Sequence, residues 1–234
     1  ESARSILLAR AGSALKPENC HMVSNGVDAD PFTDALKHFP KTTKEPFTLC
    51  YCGSIGAQYR LPEMLDIACK MKAQIPELQF RLFSQYQDVV QRALWDKGLH
   101  EENWIDCKAV PSDKVPDELA QCDLGIALRE PSFSTQAILP IKLGEYLLAG
   151  LPVIGTPGVG NTEQLSEFDI FRSAEADDLE ETLKWIVEEV LPNRALRHFV
   201  PSRHPLLRCL QSNIVGICAQ LFRIHLQLRS YHQI

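Results

Sequence analysis

The 234-residue sequence predicts a doubly wound, Rossmann-like α/β domain: a parallel sheet of about six strands with helices on both faces. Two observations carry this. Short runs rich in β-branched and aromatic residues alternate six times with segments whose apolar residues recur at helical spacing. The strand-like runs are too apolar to have one wet face, so they suit a sheet whose crossover helices cover both sides. A composition of 45% hydrophobic and 23% charged residues is that of an ordinary soluble globular protein, long enough for a substantial core.

FTLCYCGS (47–54) opens the series, and its period-two alternation sends Cys50 and Cys52 to the same face. LPEMLDIACKMKAQI follows, with Pro62 in its first turn and Leu61, Met64, Leu65, Ile67, Ala68 and Met71 as its apolar stripe. LQFRLFS (78–84) precedes the helical DVVQRALWDKG. WIDCKAV (104–110) leads to SDKVPDELAQC, where Ser112 is placed to cap a helix and Pro116 fits only in its first turns. DLGIALR (123–129) passes through a longer loop to a helix over roughly 140–149, with Pro140 at its first position and Gly150 just past its end. LPVIGT (151–156) follows at once, and FDIFRSA precedes the long helical DDLEETLKWIVEEVL. In such sheets ligands bind beyond the carboxyl ends of the strands, which singles out loops 53–61, 84–87 and 129–140.

Several function classes are disfavoured. A net charge of −6 argues against nucleic acid as the main partner, although residues 194–234 hold six arginines, four of the seven histidines and no acid. That leaves 18 Lys and Arg against 30 Asp and Glu in residues 1–193. The eight cysteines are scattered and none has zinc spacing, so they read as thiols in a reducing compartment, with no metal site. No signal peptide opens the chain and no apolar run reaches spanning length, which together predict a cytoplasmic protein. Loop 53–60 lacks both the G-x-G-x-x-G fingerprint and the Lys-Ser/Thr of a P-loop, so neither an NAD enzyme nor a P-loop NTPase is supported.

Lys142 is the informative residue. It stands in the first turn of the 140–149 helix, at the positive end of the dipole, and Glu145 follows in the less favourable order for an intrahelical pair. A bound diphosphate resolves both anomalies: backbone N–H groups and the ammonium converge on its oxygens, and Glu145, one turn on, accepts from a sugar cis-diol. A surface Lys/Glu pair is the plain alternative. Gly53 and Gly56 let the backbone approach the same anion, with Arg60 just before the next helix, and a simple tight turn is the alternative there.

IKLGEYLLAGLPVIGT resembles the donor-site helix and following strand of the group 1, retaining glycosyltransferases of GT-B fold. VSNGVDADPF (23–32) is similar to the segment that links the two GT-B domains, and CGSIGAQYR matches more weakly the family's Gly-rich loop. The resemblance covers roughly residues 20–190. It implies a nucleotide-sugar donor half whose diphosphate is met by Gly53, Ser54, Arg60, Ile141 and Lys142 and whose ribose is met by Glu145, with the base near Val110 and Pro111. It assigns no catalytic residue, no metal and no cofactor beyond a UDP- or GDP-sugar substrate. Ala137 occupies the position where many members carry a second glutamate that touches the donor sugar, and Gln136 is adjacent but not equivalent.

The implied organisation is a remnant of, or link to, an absent acceptor domain over 1–20, an interdomain linker over 21–46, the donor-binding domain over 47–193 and a basic helical tail over 194–234. LLRCLQSNIVGICAQLFRIHLQL (206–228) in that tail suits either packing against the other half or contact with anionic lipid on the inner membrane face. The implied acceptor is a glycan or lipid-linked sugar, in polysaccharide or glycan biosynthesis. A non-hydrolysing nucleotide-sugar epimerase and a non-catalytic nucleotide-sugar-binding module are the alternatives.

Overall fold

Strand β1 (Thr48–Cys52), buried at every position, lies inside the sheet rather than at its edge, as an uninterrupted apolar run requires. The computed structural model of the chain describes residues 2–20, 26–40, 43, 45–132, 135, 140–159, 162, 165 and 170–195. Six strands form one parallel sheet in the order β3-β2-β1-β4-β5-β6, with β2 at Gln79–Phe83, β3 at Ile105–Lys108, β4 at Leu124–Ala127, β5 at Val153–Gly155 and β6 at Phe171–Ser173. Strand order reverses between β1 and β4, the point where doubly wound sheets hold ligands in a crevice beyond the carboxyl ends of the strands.

Among the described residues the continuous α-helices are α1 (Ser2–Ala11), α2 (Asp30–His38), α3 (Leu61–Gln74), α4 (Gln87–Asp96), α5 (Val115–Leu119), α6 (Ile141–Leu148) and α7 (Leu179–Trp185), the last prolonged by a π turn over Ile186–Val190. Alternation along β1 divides the core in two. Leu49 and Tyr51 join Met64, Leu65, Phe80 and Ile186 on one face, whereas Cys50 and Cys52 join Phe32, Leu143, Tyr146 and Phe171 on the other.

Local details depart from the sequence reading. Ser112 lies inside a 3-10 turn (Ser112–Lys114), so Lys114 precedes α5 and the Ser112 side chain makes no cap bond; Pro116 keeps its place in the first turn. Pro140 is extended (φ −64°, ψ 125°) and stands just outside α6, while Gly150 (φ 72°) follows its end as expected. Within the 21–46 segment, α2 buries Phe32 and Ala35, and Phe32 packs in the core beside Leu143 and Tyr146. Arg194 is 6% exposed; it donates to the Thr43 and Glu45 carbonyls and sits 3.9 Å from Asp123, whose Oδ2 accepts from the Thr48 N–H at 2.8 Å. Residues 196–234, including the 206–228 segment, lie outside the described residues.

One side chain shapes this switch point. Backbone pairing of β1 with β4 covers Leu49↔Leu124 and Cys50↔Gly125. Beyond it the fully buried Tyr146 of α6 bridges the strands: its hydroxyl accepts from the Cys52 N–H at 2.7 Å and donates to the Ile126 carbonyl at 3.4 Å. The ring fits because residue 125 is glycine, since a Cβ there would lie 2.5 Å from Tyr146 Cδ2. Gly125→Ala should therefore cost roughly 1–3 kcal/mol through overpacking. Tyr146→Phe should cost about 1–3 kcal/mol by leaving a buried N–H unpaired. Urea unfolding of both variants checks this, and a wild-type midpoint for Gly125→Ala would show that the ring is not seated there.

Candidate functional site

The head of α6 meets the loop after β1. Gly53 (φ 137°) donates its N–H to the Phe83 carbonyl at 2.9 Å and turns the chain away from the sheet. A Cβ at Gly53 would lie 3.1 Å from Lys142 Nζ and 3.4 Å from Cε. Glycine is thus required twice, for its left-handed backbone and for the approach of the lysine. Ser54 is exposed beside it, and Ile141, 51% exposed, begins α6.

Lys142 Nζ donates to the Tyr51 hydroxyl at 2.8 Å, and that hydroxyl donates to the Ser54 carbonyl. The ammonium also lies 4.2 Å from the Tyr51 ring centre and 4.4 Å from that of Tyr59, a cation held by two aromatic faces. Among the described residues no carboxylate pairs with it. Burial drives the Lys142 pKa down to about 8, with Arg129 adding repulsion while Cys52 and Glu145 oppose the shift. Burial likewise raises the Glu145 carboxyl, against a weaker pull from Lys142. The Cys52 thiol, pushed up to about 12 chiefly by burial, stays protonated. Half-buried and without a mutual ion pair, Lys142 and Glu145 do not form the simple surface pair that their spacing allows.

Arg60 occupies a different electrostatic setting. It is the one described non-glycine residue with positive φ (46°), and its side chain is 17% exposed. Its guanidinium bonds Glu175 at 2.7 Å and lies 3.6 Å from Glu63 and 3.8 Å from Glu130. The Glu175 bond raises its pKa further. Arg60 thus ties together the loops after β1, β4 and β6.

Val110 and Pro111 follow β3 at the carboxyl edge of the sheet; Val110 packs against the α6-side core and Pro111 is exposed. The linker motif and the helix motif meet: a Cβ on Gly144 would lie 3.0 Å from Val27 Cγ2. Val23, Ser24 and Asn25, like Gln136 and Ala137, lie outside the described residues. Tyr51, Tyr59, Arg129 and Tyr146 escaped the sequence reading. The glycine inside DLGIALR was the available signal for Tyr146, because an interior strand glycine marks a close approach. Among the described residues no three His, Cys, Asp or Glu side chains gather as a metal ion would need, and no helix is long and apolar enough to cross a membrane.

No protein-family model matches this chain. It is 28% identical over 164 residues to a Bacillus subtilis (strain 168) protein whose assigned name is teichuronic acid biosynthesis glycosyltransferase TuaH, a match that spans 68% of this chain and 40% of that protein. Among solved structures it resembles Anabaena Alr3699/HepE in complex with UDP and glucose, with TM-score 0.56 and 16% identity over 92% of this chain and 60% of that one. It also resembles WaaG, a glycosyltransferase involved in lipopolysaccharide biosynthesis, with TM-score 0.61 and 14% identity over 88% of this chain and 58% of that one. The fold is the Rossmann-like α/β fold of GT-B glycosyltransferase domains. The chain spans between two fifths and three fifths of the length of these relatives.

The state of Lys142 has a measurable signature. Its folded pKa of about 8 lies below the ordinary 10.5, so between these values the unfolded chain binds more protons than the folded one. The contribution of Lys142 to stability should therefore rise as pH climbs from about 8 to 10.5. Lys142→Met should remove that rise, and the difference between the two proteins in urea unfolding across this pH window isolates it. Parallel pH profiles would mean an ordinary, solvated lysine.

Proposed function

We propose that this chain is the nucleotide-sugar donor-binding half of a retaining GT-B glycosyltransferase. The observation that carries the reading is Lys142: a cation at a helix head, beside a glycine backbone at the carboxyl end of β1, with no carboxylate partner among the described residues. A diphosphate there accepts from the ammonium, from the first-turn N–H groups at Ile141 and Lys142, and from the Gly53–Ser54 loop. Glu145, one turn farther along α6, accepts from the ribose hydroxyls, and the base lies toward Val110 and Pro111. Arg60 borders the same loop and belongs to the proposed diphosphate set only where phosphate displaces its carboxylates.

In the reaction the bond from the anomeric carbon to the diphosphate oxygen breaks, and a bond to an acceptor hydroxyl forms on the same face as the acceptor proton is lost. Lys142 and the α6 dipole stabilise the negative charge on the departing diphosphate, with no metal in the scheme. UDP and GDP are the donor nucleotides proposed, and the UDP held by HepE supports the first. The acceptor is a glycan or lipid-linked sugar bound in the cleft with the other half, in polysaccharide or glycan biosynthesis, a context in keeping with the names of TuaH and WaaG. The protein is cytoplasmic in this reading, with the basic tail touching the inner membrane face.

Titration calorimetry with UDP, GDP and pyrophosphate tests the site. Lys142→Ala should weaken nucleoside diphosphate binding by about 1.5–3 kcal/mol, the worth of a hydrogen bond to a charged group. Glu145→Gln should lower nucleotide affinity and spare pyrophosphate, because it touches only the ribose. Unchanged nucleotide affinity in Lys142→Ala would overturn the assignment.

A further inference from the structure

We propose that Arg129, at the carboxyl end of β4, is the second cation that grips the donor diphosphate, and that Arg60 is a positioning residue that holds the surrounding loops. The inference rests on the donor-site reading and adds to it a residue that neither motif contains.

Arg129 is built into place. Its backbone N–H donates to Thr156 Oγ1 at 3.1 Å, and the next residue's N–H donates to the Gln58 carbonyl at 2.8 Å, which docks the β4 loop onto the β1 loop. One guanidinium nitrogen donates to Gln58 Oε1 at 3.1 Å, and the group lies 5.5 Å from the Tyr59 ring centre. That ring also receives the Lys142 ammonium, so one aromatic side chain gathers two cations. Among the described residues no carboxylate pairs with Arg129, and its Nε is buried without a hydrogen-bond partner. Glu130, its immediate neighbour, turns instead toward Arg60.

Two like charges held together, one with a buried unpaired donor, are costly in the free protein. An anion with oxygens on adjacent phosphorus atoms relieves that cost by bonding both. Arg60 faces the opposite balance: a phosphate there must displace Glu175 at 2.7 Å and join Glu63 and Glu130, three negative groups around one positive charge.

The test titrates the wild-type chain, Arg129→Gln, Arg129→Lys and Arg60→Gln with UDP, pyrophosphate and uridine, alongside thermal unfolding. Arg129→Gln should weaken UDP and pyrophosphate about tenfold or more and leave uridine unchanged, the size expected for a lost charged hydrogen bond. Arg129→Lys should recover part of that loss. Arg60→Gln should lower the melting midpoint and cost less phosphate affinity than Arg129→Gln. The proposal is overturned, with the donor site left standing, where wild type binds UDP and Arg129→Gln binds it equally well, or where Arg60→Gln is the more damaging change. A wild-type chain that binds neither UDP nor pyrophosphate removes the donor-site reading itself, and this proposal with it.

Discussion

The seating of the Tyr146 ring over Gly125 sets the geometry on which the crevice depends. Adjacent parallel strands ordinarily continue their ladder to the end, yet here a phenol from a helix takes up one N–H of β1 and one carbonyl of β4. The substitution preserves hydrogen bonding while fixing α6 in depth and rotation against both strands. Because Lys142 lies four residues earlier on the same face of that helix, its ammonium arrives at the Gly53 backbone as a consequence of the buried contact one turn on. The core and the site are two ends of one rigid lever.

The charges around that crevice are sorted. Arg60 is surrounded by carboxylates, so its energy goes into joining three loops. Lys142 and Arg129 both lie against the Tyr59 ring without such compensation among the described residues, each partly buried. Electrostatic interaction strengthens as solvent is excluded, so uncompensated cations in such a place attract an anion far more strongly than the same pair on an open surface.

Periodicity made most of the fold legible. β1 shows alternating faces in the letters TLCYC, and α3 carries its stripe from Leu61 to Met71 almost unbroken on the buried side. Lys142 and Glu145 stood out because a cation at a helix start contradicts local electrostatics, and such contradictions are visible in one dimension. Arg129 and Tyr59 were hidden because an arginine after a strand and a tyrosine in a loop contradict nothing; their meaning arises only when the β1 and β4 loops dock through Gln58. Ser112 misled for a related reason. A capping residue type is a local preference, and the 3-10 turn ahead of α5 took that serine into its own first position.

Arg194 brings together the segment that enters β1 and the segment that leaves α7, at the amino ends of β1 and β4. Arg194 thereby ties the residues just past the π turn to the approach to β1, at the amino edge of the sheet and away from the carboxyl edge where Lys142 lies. The buried arginine thus anchors the fold at one edge of the sheet and leaves the other edge to the chemistry.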